Sequence, residues 1–132
     1  MDERNLFAVA EQTAAIAYAP YSKLRVGCTI EATDGRVFQG SNVENASYGL
    51  TICAERAAIF HAIALGARKF RKIAIYSSGT QVITPCGACR QVLAEFCDDL
   101  EILLACSTGE IRRTKLSILL PDAFTKKGLP TS

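Results

Sequence analysis

The sequence predicts an α/β fold, in which helices on both sides of a mixed five-stranded sheet form a three-layer α/β/α sandwich. Helical and extended patterns follow one another in the order α-β-β-α-β-α-β-β, which supplies five strands and helices for both faces. A nearly continuous apolar run at residues 101–106 is typical of a strand that is covered on both faces. No linker interrupts this order, so residues 1–132 are predicted to form a single domain.

Each predicted element depends on its hydrophobic period and on the residue that ends it. Pro20 closes the first helix, Asp34-Gly35 forms a hairpin turn, and Gly66 stops the second helix. In order, the elements are a helix over 3–18, strands over 24–32 and 36–41, a loop over 42–48, a helix over 51–65, a strand over 72–77, a helix over 87–97, strands over 101–106 and 111–115, and a helical turn over 117–120. The tail after Phe124 is predicted to be mobile.

Composition and charge exclude several classes of protein. Hydrophobic residues make up 49% of the chain and charged residues 21%, which is a globular balance. A net charge of +2 does not favour nucleic-acid binding. No apolar run approaches the roughly 20 residues that span a membrane, and the polar residues 1–5 do not resemble a signal peptide. We therefore expect a cytoplasmic protein with reduced cysteines and with neither membrane nor nucleic-acid partners.

Two short motifs carry residues that bind metals. Thr51-Ile52-Cys53-Ala54-Glu55-Arg56 and Pro85-Cys86-Gly87-Ala88-Cys89-Arg90 each fall at the predicted start of a helix. Cys86 and Cys89 can face one ion, and Cys53 can complete the set if the two helix starts lie side by side. Thiolate ligands in tetrahedral geometry favour Zn²⁺. Three protein ligands leave a fourth position open to water, which distinguishes a catalytic site from a closed structural one.

Two charged residues follow Cys53 directly in the first motif. Glu55 can reach the open position without binding the metal, and a carboxylate there can move protons between water and a substrate nitrogen. Three thiolates make the site negative, and the two helix N-termini together with Arg56 offset this charge. Taken alone, Glu55 would favour the helix dipole and Arg56 would form a surface ion pair. Beside the cysteines, we interpret Glu55 as catalytic and Arg56 as charge-balancing.

The spacing Cys-x-Glu followed by Pro-Cys-x-x-Cys is the signature of zinc-dependent nucleobase deaminases. Three further motifs, Ala19-Pro20-Tyr21-Ser22-Lys23, the run at residues 40–49 and Leu119-Leu120-Pro121-Asp122-Ala123-Phe124, accompany it. Together the motifs resemble the cytidine deaminase family, small homotetrameric enzymes of pyrimidine salvage, over nearly the whole chain. The resemblance implies a cytidine deaminase-like fold, one zinc per chain, and hydrolysis of cytidine or 2′-deoxycytidine to the uracil nucleoside and ammonia.

The resemblance also implies which residues hold a nucleoside. Asn42 and Glu44 would bind the ribose 3′-hydroxyl, since an amide and a carboxylate can together donate to and accept from one hydroxyl. The backbone N–H of Ala54 would meet the O2 carbonyl of the base. The backbone carbonyl of Thr84 would accept a hydrogen bond from the leaving amine. The simpler interpretation of Asn42 and Glu44 is that they cap a loop.

In this family the active sites sit at subunit junctions of a homotetramer. The resemblance implies that Ala46, Tyr48 and Phe124 reach into neighbouring sites, with Phe124 against the pyrimidine ring. Alternatively, Phe124 anchors the tail to its own core. Leu24 stands where the family usually has phenylalanine; it keeps an apolar wall near the nucleoside but loses ring stacking.

Three alternative functions remain open on the sequence. A related zinc deaminase could act on nucleic acid or on a nucleoside-like antibiotic, although a nucleic-acid substrate favours a basic, aromatic channel. A structural zinc protein would need a fourth ligand, for which His61 or another cysteine is a candidate. A thiol redox protein would use Cys86 and Cys89. The remaining cysteines are predicted to be small buried hydrophobic residues: Cys28, Cys97 and Cys106.

Overall fold

The computed structural model describes residues 1–130; residues 131 and 132, which belong to the predicted domain and tail, lie outside the described residues. The helices are α1 (Glu3–Ala15), α2 (Ala54–Ala64), α3 (Gly87–Phe96) and α4 (Leu116–Leu119). The strands are β1 (Val26–Ala32), β2 (Val37–Ser41), β3 (Phe70–Ser77), β4 (Glu101–Cys106) and β5 (Ile111–Lys115). Short 3₁₀ helices cover Tyr48–Leu50 and Lys126–Gly128.

The five strands form one mixed sheet in the order β2-β1-β3-β4-β5, which confirms the predicted fold class. β3 and β4 run parallel, and α3 connects them, whereas the other neighbouring strands are antiparallel. Helix α1 packs on β1 and β3, and α2 packs on β1 and β2. Because β3 runs towards the start of α3, the segment that leads into this helix leaves the sheet at the carboxyl end of a parallel strand.

The core lies on both faces of this sheet. On one face, α2 and α3 pack against β1, β3 and β4 through a large cluster that includes Ile30, Ile59 and Leu104. On the other face, Leu6 of α1 packs with Ala74 and Leu103 in a smaller cluster. Neighbouring residues of β4 thus face different layers, which explains why this strand is apolar throughout.

Two glycines let the helices approach the sheet closely. A Cβ at Gly27 of β1 would lie 1.9 Å from the Ala10 carbonyl oxygen of α1. A Cβ at Gly40 of β2 would lie 2.3 Å from the Ala58 nitrogen of α2. Helix backbone cannot move aside as a flexible side chain can. The two glycines therefore set the spacing of both outer layers from the sheet.

Several predicted boundaries were wrong by one to three residues, and pairings distant in sequence explain the largest errors. Helix α1 ends at Ala15 rather than at residue 18, because Tyr18 pairs with the segment around Val43. Helix α2 begins at Ala54 rather than at Thr51, because Ile52 pairs with Val43 in an antiparallel bridge. Residues 51–53 are therefore not helical, and the predicted loop at 42–48 is tied to both neighbouring segments.

Smaller differences concern strand and helix ends. β1 begins at residue 26 rather than 24, β3 begins at 70 rather than 72, and α4 covers 116–119 rather than 117–120. The predicted mobility of the tail after Phe124 stays a prediction; this segment holds one 3₁₀ turn. None of the described helices is both long and apolar enough to cross a membrane.

Candidate metal and active site

The cysteines of the two motifs lie together where α2 and α3 begin. The Sγ atoms of Cys53 and Cys86 are 3.8 Å apart, and those of Cys86 and Cys89 are 3.4 Å apart. All three sulfurs lie within 4.8 Å of one another, and all are free thiols. With Zn–S bonds of about 2.3 Å, sulfurs around a tetrahedral zinc ion lie roughly 3.8 Å apart. The donor type and the spacing of this cluster therefore fit one zinc ion.

The local structure explains why the thiols converge. Cys53 is the N-cap of α2, Cys86 is the N-cap of α3, and Cys89 lies in the first turn of α3. The backbone N–H of Cys89 donates to the Cys86 sulfur over 3.5 Å. Because α2 and α3 pack against each other, their starts lie side by side, as the three-sulfur hypothesis required. Both helix N-termini direct positive partial charge at the sulfurs, which favours thiolates.

Arg56 lies against the cysteine cluster. Its Nη2 is 3.6 Å from the Cys53 sulfur, and its buried Nε has no partner within residues 1–130. Hydrogen bonds from the Cys89 thiol and the Arg56 guanidinium lower the pKa of Cys53 to about 5, although partial burial opposes the shift. The shared hydrogen bond with Cys53 raises the pKa of Cys89. The site thus holds a thiolate at neutral pH, with a cation beside it.

Glu55 is buried in the first turn of α2, two residues after Cys53, with 6% of its surface exposed. Burial raises the pKa of its carboxyl group to about 7, and the negative charge of Cys53 adds to the increase. A carboxyl group with a pKa near the working pH exchanges protons readily in both directions. Glu55 is therefore a buried carboxyl group next to the cysteine cluster that can gain or lose a proton near neutral pH.

Comparison with known proteins identifies the family. Residues 1–105 match the model of the cytidine and deoxycytidylate deaminase zinc-binding region. The chain belongs to this family. The cytidine deaminase of Halalkalibacterium halodurans is 45% identical over 130 residues, covering 98% of each chain. That of Sporosarcina psychrophila is 42% identical over 130 residues, covering 98% of this chain and 96% of the relative.

The fold of the deaminase chain also matches solved structures of this family. The crystal structure of cytidine deaminase from Burkholderia pseudomallei has a TM-score of 0.90 and 47% sequence identity, covering 94% of this chain and 100% of that one. The Mycobacterium tuberculosis enzyme gives a TM-score of 0.81 at 42% identity, covering 94% and 98%. Together with the three clustered thiols, the zinc-binding family model identifies zinc as the metal cofactor.

Asn42 and Glu44 of the deaminase chain hold the loop that precedes β1. The Asn42 amide accepts from the Val26 N–H over 2.9 Å and donates to the Leu24 carbonyl over 2.9 Å. The Glu44 carboxylate accepts from both backbone N–H and hydroxyl of Ser22, and these bonds lower its pKa. Both side chains thus cap a loop, as the simpler interpretation held. Each retains hydrogen-bonding capacity, since an amide has two donors and two lone pairs and a carboxylate about four acceptor sites.

Two further residues of the predicted site lie at or just before the helix starts, and Leu24 lies beside the segment that follows β3. Ala54 is the first residue of α2, where a backbone N–H has no acceptor within the helix. The Thr84 carbonyl belongs to the irregular segment that leads into α3. Leu24 is half-buried, and its Cδ1 would lie 3.3 Å from a Cβ added at Gly79. The contacts of these residues with substrate stay predictions.

The residues predicted to reach neighbouring subunits are exposed. Ala46 lies on the surface, and the Tyr48 ring is 76% exposed, in edge contact with Tyr21. The Phe124 ring is 60% exposed, and the backbone carbonyl of this residue accepts from the Gln91 amide over 2.8 Å. Phe124 is therefore not buried in its own core, which was the alternative to a role between subunits.

The other candidate ligands do not join the cysteine cluster. His61 lies in the last turn of α2, where its Nδ1 is 3.2 Å from the Gln39 carbonyl oxygen and its ring meets Phe38 edge-on. Within residues 1–130, no histidine, acidic residue or further cysteine joins the three sulfurs at ligand spacing. The remaining cysteines are buried, as predicted: Cys28, Cys97 and Cys106.

The sequence does not predict a role for two residues near the site. Ser22 lies within one of the motifs, and its backbone N–H and hydroxyl both donate to Glu44. Arg90 follows Cys89 directly and hydrogen-bonds to the segment before Cys86. The arginine at the end of the second motif was the available signal, but its acceptors lie in parts of the chain that spacing alone does not bring together.

Proposed function

We propose that this chain is a zinc-dependent hydrolase that converts cytidine and 2′-deoxycytidine to uridine and 2′-deoxyuridine, with release of ammonia. The observation that carries the proposal is the placement of a buried carboxyl group, Glu55, beside three thiols at the starts of two packed helices. A structural zinc site has no use for this carboxyl group, whose pKa of about 7 suits proton exchange.

The residues of the cluster fit the metal that this chemistry needs. Cys53, Cys86 and Cys89 would hold zinc, and the fourth position would be left to water or substrate. When bound, zinc lowers the pKa of water so that a strong nucleophile forms near neutral pH. The adjacent Arg56 and the two helix N-termini offset the negative charge of the thiolates, which would otherwise weaken the Lewis acid.

Glu55 would move the protons of the reaction. Its carboxylate would accept a proton from the attacking water and deliver it to ring N3. It would then take the proton of the new C4 hydroxyl and deliver it to the departing amine as the C4 carbonyl forms. Water adds at C4 of the cytosine ring and ammonia leaves, so the proton count balances with no redox step. Two transfers by one group require a pKa near the operating pH, and burial of Glu55 supplies it.

The contacts to the rest of the nucleoside would come from the residues named above. The Ala54 N–H at the start of α2 would bind the O2 carbonyl, and the Thr84 carbonyl would accept from the leaving amine. Asn42 and Glu44 would use their remaining hydrogen-bonding capacity on the ribose hydroxyl. Leu24 would supply an apolar wall beside the nucleoside.

A homotetramer with active sites at subunit junctions would complete each site. The support is the exposure of Tyr48 and Phe124, two large rings that a neighbouring chain would cover. A nucleoside substrate places the enzyme in pyrimidine salvage, and the reduced state that the thiol ligands need favours the cytoplasm. We also propose that the whole chain forms a single domain, since the five strands belong to one sheet.

A comparison of three substrates tests the proposal. The loss of ultraviolet absorbance on deamination is measured with cytidine, 2′-deoxycytidine and free cytosine, using zinc-loaded protein. We expect fast turnover of both nucleosides and at least about 100-fold slower turnover of the base, because the base forfeits the ribose contacts. Equal turnover of base and nucleosides would contradict the sugar contacts. No turnover of any substrate by fully zinc-loaded protein would contradict the proposed function itself.

A further inference from the structure

We propose that Arg90 is a positioning residue that holds the loop bearing Cys86 in the geometry needed to bind zinc. The proposal rests on the proposed function only in that the cysteine cluster binds this metal. Arg90 lies in the first turns of α3, directly after Cys89, and its side chain is half-buried. Its side chain does not bond to the cysteine sulfurs. Thr84 is the one predicted substrate residue to which it bonds, so Arg90 would act on zinc binding indirectly.

The Arg90 guanidinium donates to three acceptors at once. Nε donates to the Pro85 carbonyl over 2.7 Å, and Nη2 donates to the Thr84 hydroxyl over 3.1 Å. Nη1 donates to the Leu119 carbonyl over 2.8 Å. A guanidinium keeps its N–H groups in one plane, so these bonds fix the three acceptors relative to one another. The charge of the donor makes each bond stronger than one between neutral groups.

Two of the three bonds fix the segment that carries a metal ligand. Thr84 and Pro85 immediately precede Cys86, and residues 78–86 form neither helix nor strand. Cys86 is exposed, so packing contributes little to holding its thiol. The backbone N–H of Arg90 also donates to the Cys86 carbonyl over 2.9 Å. The backbone and the side chain of Arg90 thus together hold residues 84–86, which include the metal ligand Cys86.

The third bond connects the metal end of α3 with the C-terminal segment. Leu119 is the last residue of α4, and it lies five residues before Phe124. The next residue of α3, Gln91, donates to the Phe124 carbonyl over 2.8 Å. Arg90 and Gln91, which follow Cys89 in α3, therefore hold the two ends of the segment 119–124. Loss of the Arg90 side chain would loosen the Cys86 loop and this segment together.

The test measures zinc release and needs no substrate. Holoprotein is mixed with an excess of a chromogenic chelator, and the rate of zinc transfer is followed together with the thermal midpoint. Arg90→Ala is expected to release zinc about 10–100-fold faster than wild type, because loss of groups that support metal ligands lowers metal affinity by about this factor and the loss is expected in the release rate. Arg90→Lys is expected to give an intermediate rate, because a single ammonium cannot serve three acceptors in one plane.

Arg68→Ala is the matched control. Arg68 also bonds to two backbone carbonyls, those of Ile63 over 2.9 Å and Ala67 over 2.8 Å, but near the opposite end of α2 from Cys53. It is expected to lower the thermal midpoint without changing zinc release.

Release of zinc at the wild-type rate from Arg90→Ala, or equal acceleration of release in Arg68→Ala, overturns the proposal. Should Arg90→Ala not fold, a wild-type release rate in Arg90→Lys overturns it. Wild-type protein that holds zinc but does not deaminate cytidine contradicts the proposed function and leaves the role of Arg90 intact.

Discussion

Glu55→Gln is expected to bind zinc normally, to keep the thermal midpoint of the wild type within a few degrees, and to lower kcat by at least about 100-fold. The reason is chemical, since glutamine has nearly the same shape as glutamate but cannot accept a proton and pass it on. General acid–base catalysis of this kind typically contributes about 10²–10⁴ in rate. The measurements are zinc content by elemental analysis, thermal unfolding, and initial rates with cytidine.

Glu95→Gln is the control for this substitution. Glu95 is an exposed acidic residue of α3, outside the cysteine cluster, and its replacement makes the same change of a carboxyl group to an amide. We expect it to retain wild-type kcat. Normal turnover by Glu55→Gln with zinc bound would falsify the assignment of Glu55 as the proton-transfer group, whatever the effect on substrate binding.

Cys89→Ala is expected to lower the zinc content well below one ion per chain and to abolish deamination with it. Cys89 is completely buried, and its sulfur lies 3.4 Å from that of Cys86. Removing one of three protein ligands leaves a site that competes poorly with chelators. Because a metal bound to the folded state stabilises it, the variant should also unfold at lower temperature than the zinc-loaded wild type.

Cys97→Ala separates metal loss from the loss of a buried sulfur. Cys97 is buried at the end of α3, and its burial raises the pKa of its thiol to about 12, so it stays protonated. This variant is expected to lose some stability through the smaller side chain but to keep one zinc per chain. If Cys89→Ala retains full zinc while Cys97→Ala loses it, the ligand assignment is wrong.

The order of elements and the metal cluster could be predicted from the sequence because local patterns encode both. The apolar period places each helix and strand, and the C-x-x-C spacing brings two thiols to one face of a helix start. Cys53 joins them because it begins the neighbouring helix on the same sheet. Each motif is local, so the sequence shows it directly, and the order of the elements indicates that the two motifs, 33 residues apart, meet at one end of the sheet.

The details that could not be predicted depend on contacts between distant residues. The start of α2 is moved to Ala54 by the pairing of Ile52 with Val43, which no local propensity reveals. The use of the Asn42 amide to hold the backbone at Leu24 and Val26 is equally invisible in the sequence. The role of Arg90 is not visible in the sequence for the same reason, since its acceptors lie before Cys86 and at the end of α4.

The central claim is that the three-cysteine cluster and Glu55 together form a zinc-dependent deaminase site. The most direct test titrates Zn²⁺ into protein stripped with a chelator while the conversion of cytidine to uridine is followed. The account predicts negligible turnover without metal, and a linear rise that ends at one zinc per chain. Unchanged turnover in the stripped protein, or zinc bound at one per chain with no conversion of cytidine, would contradict it.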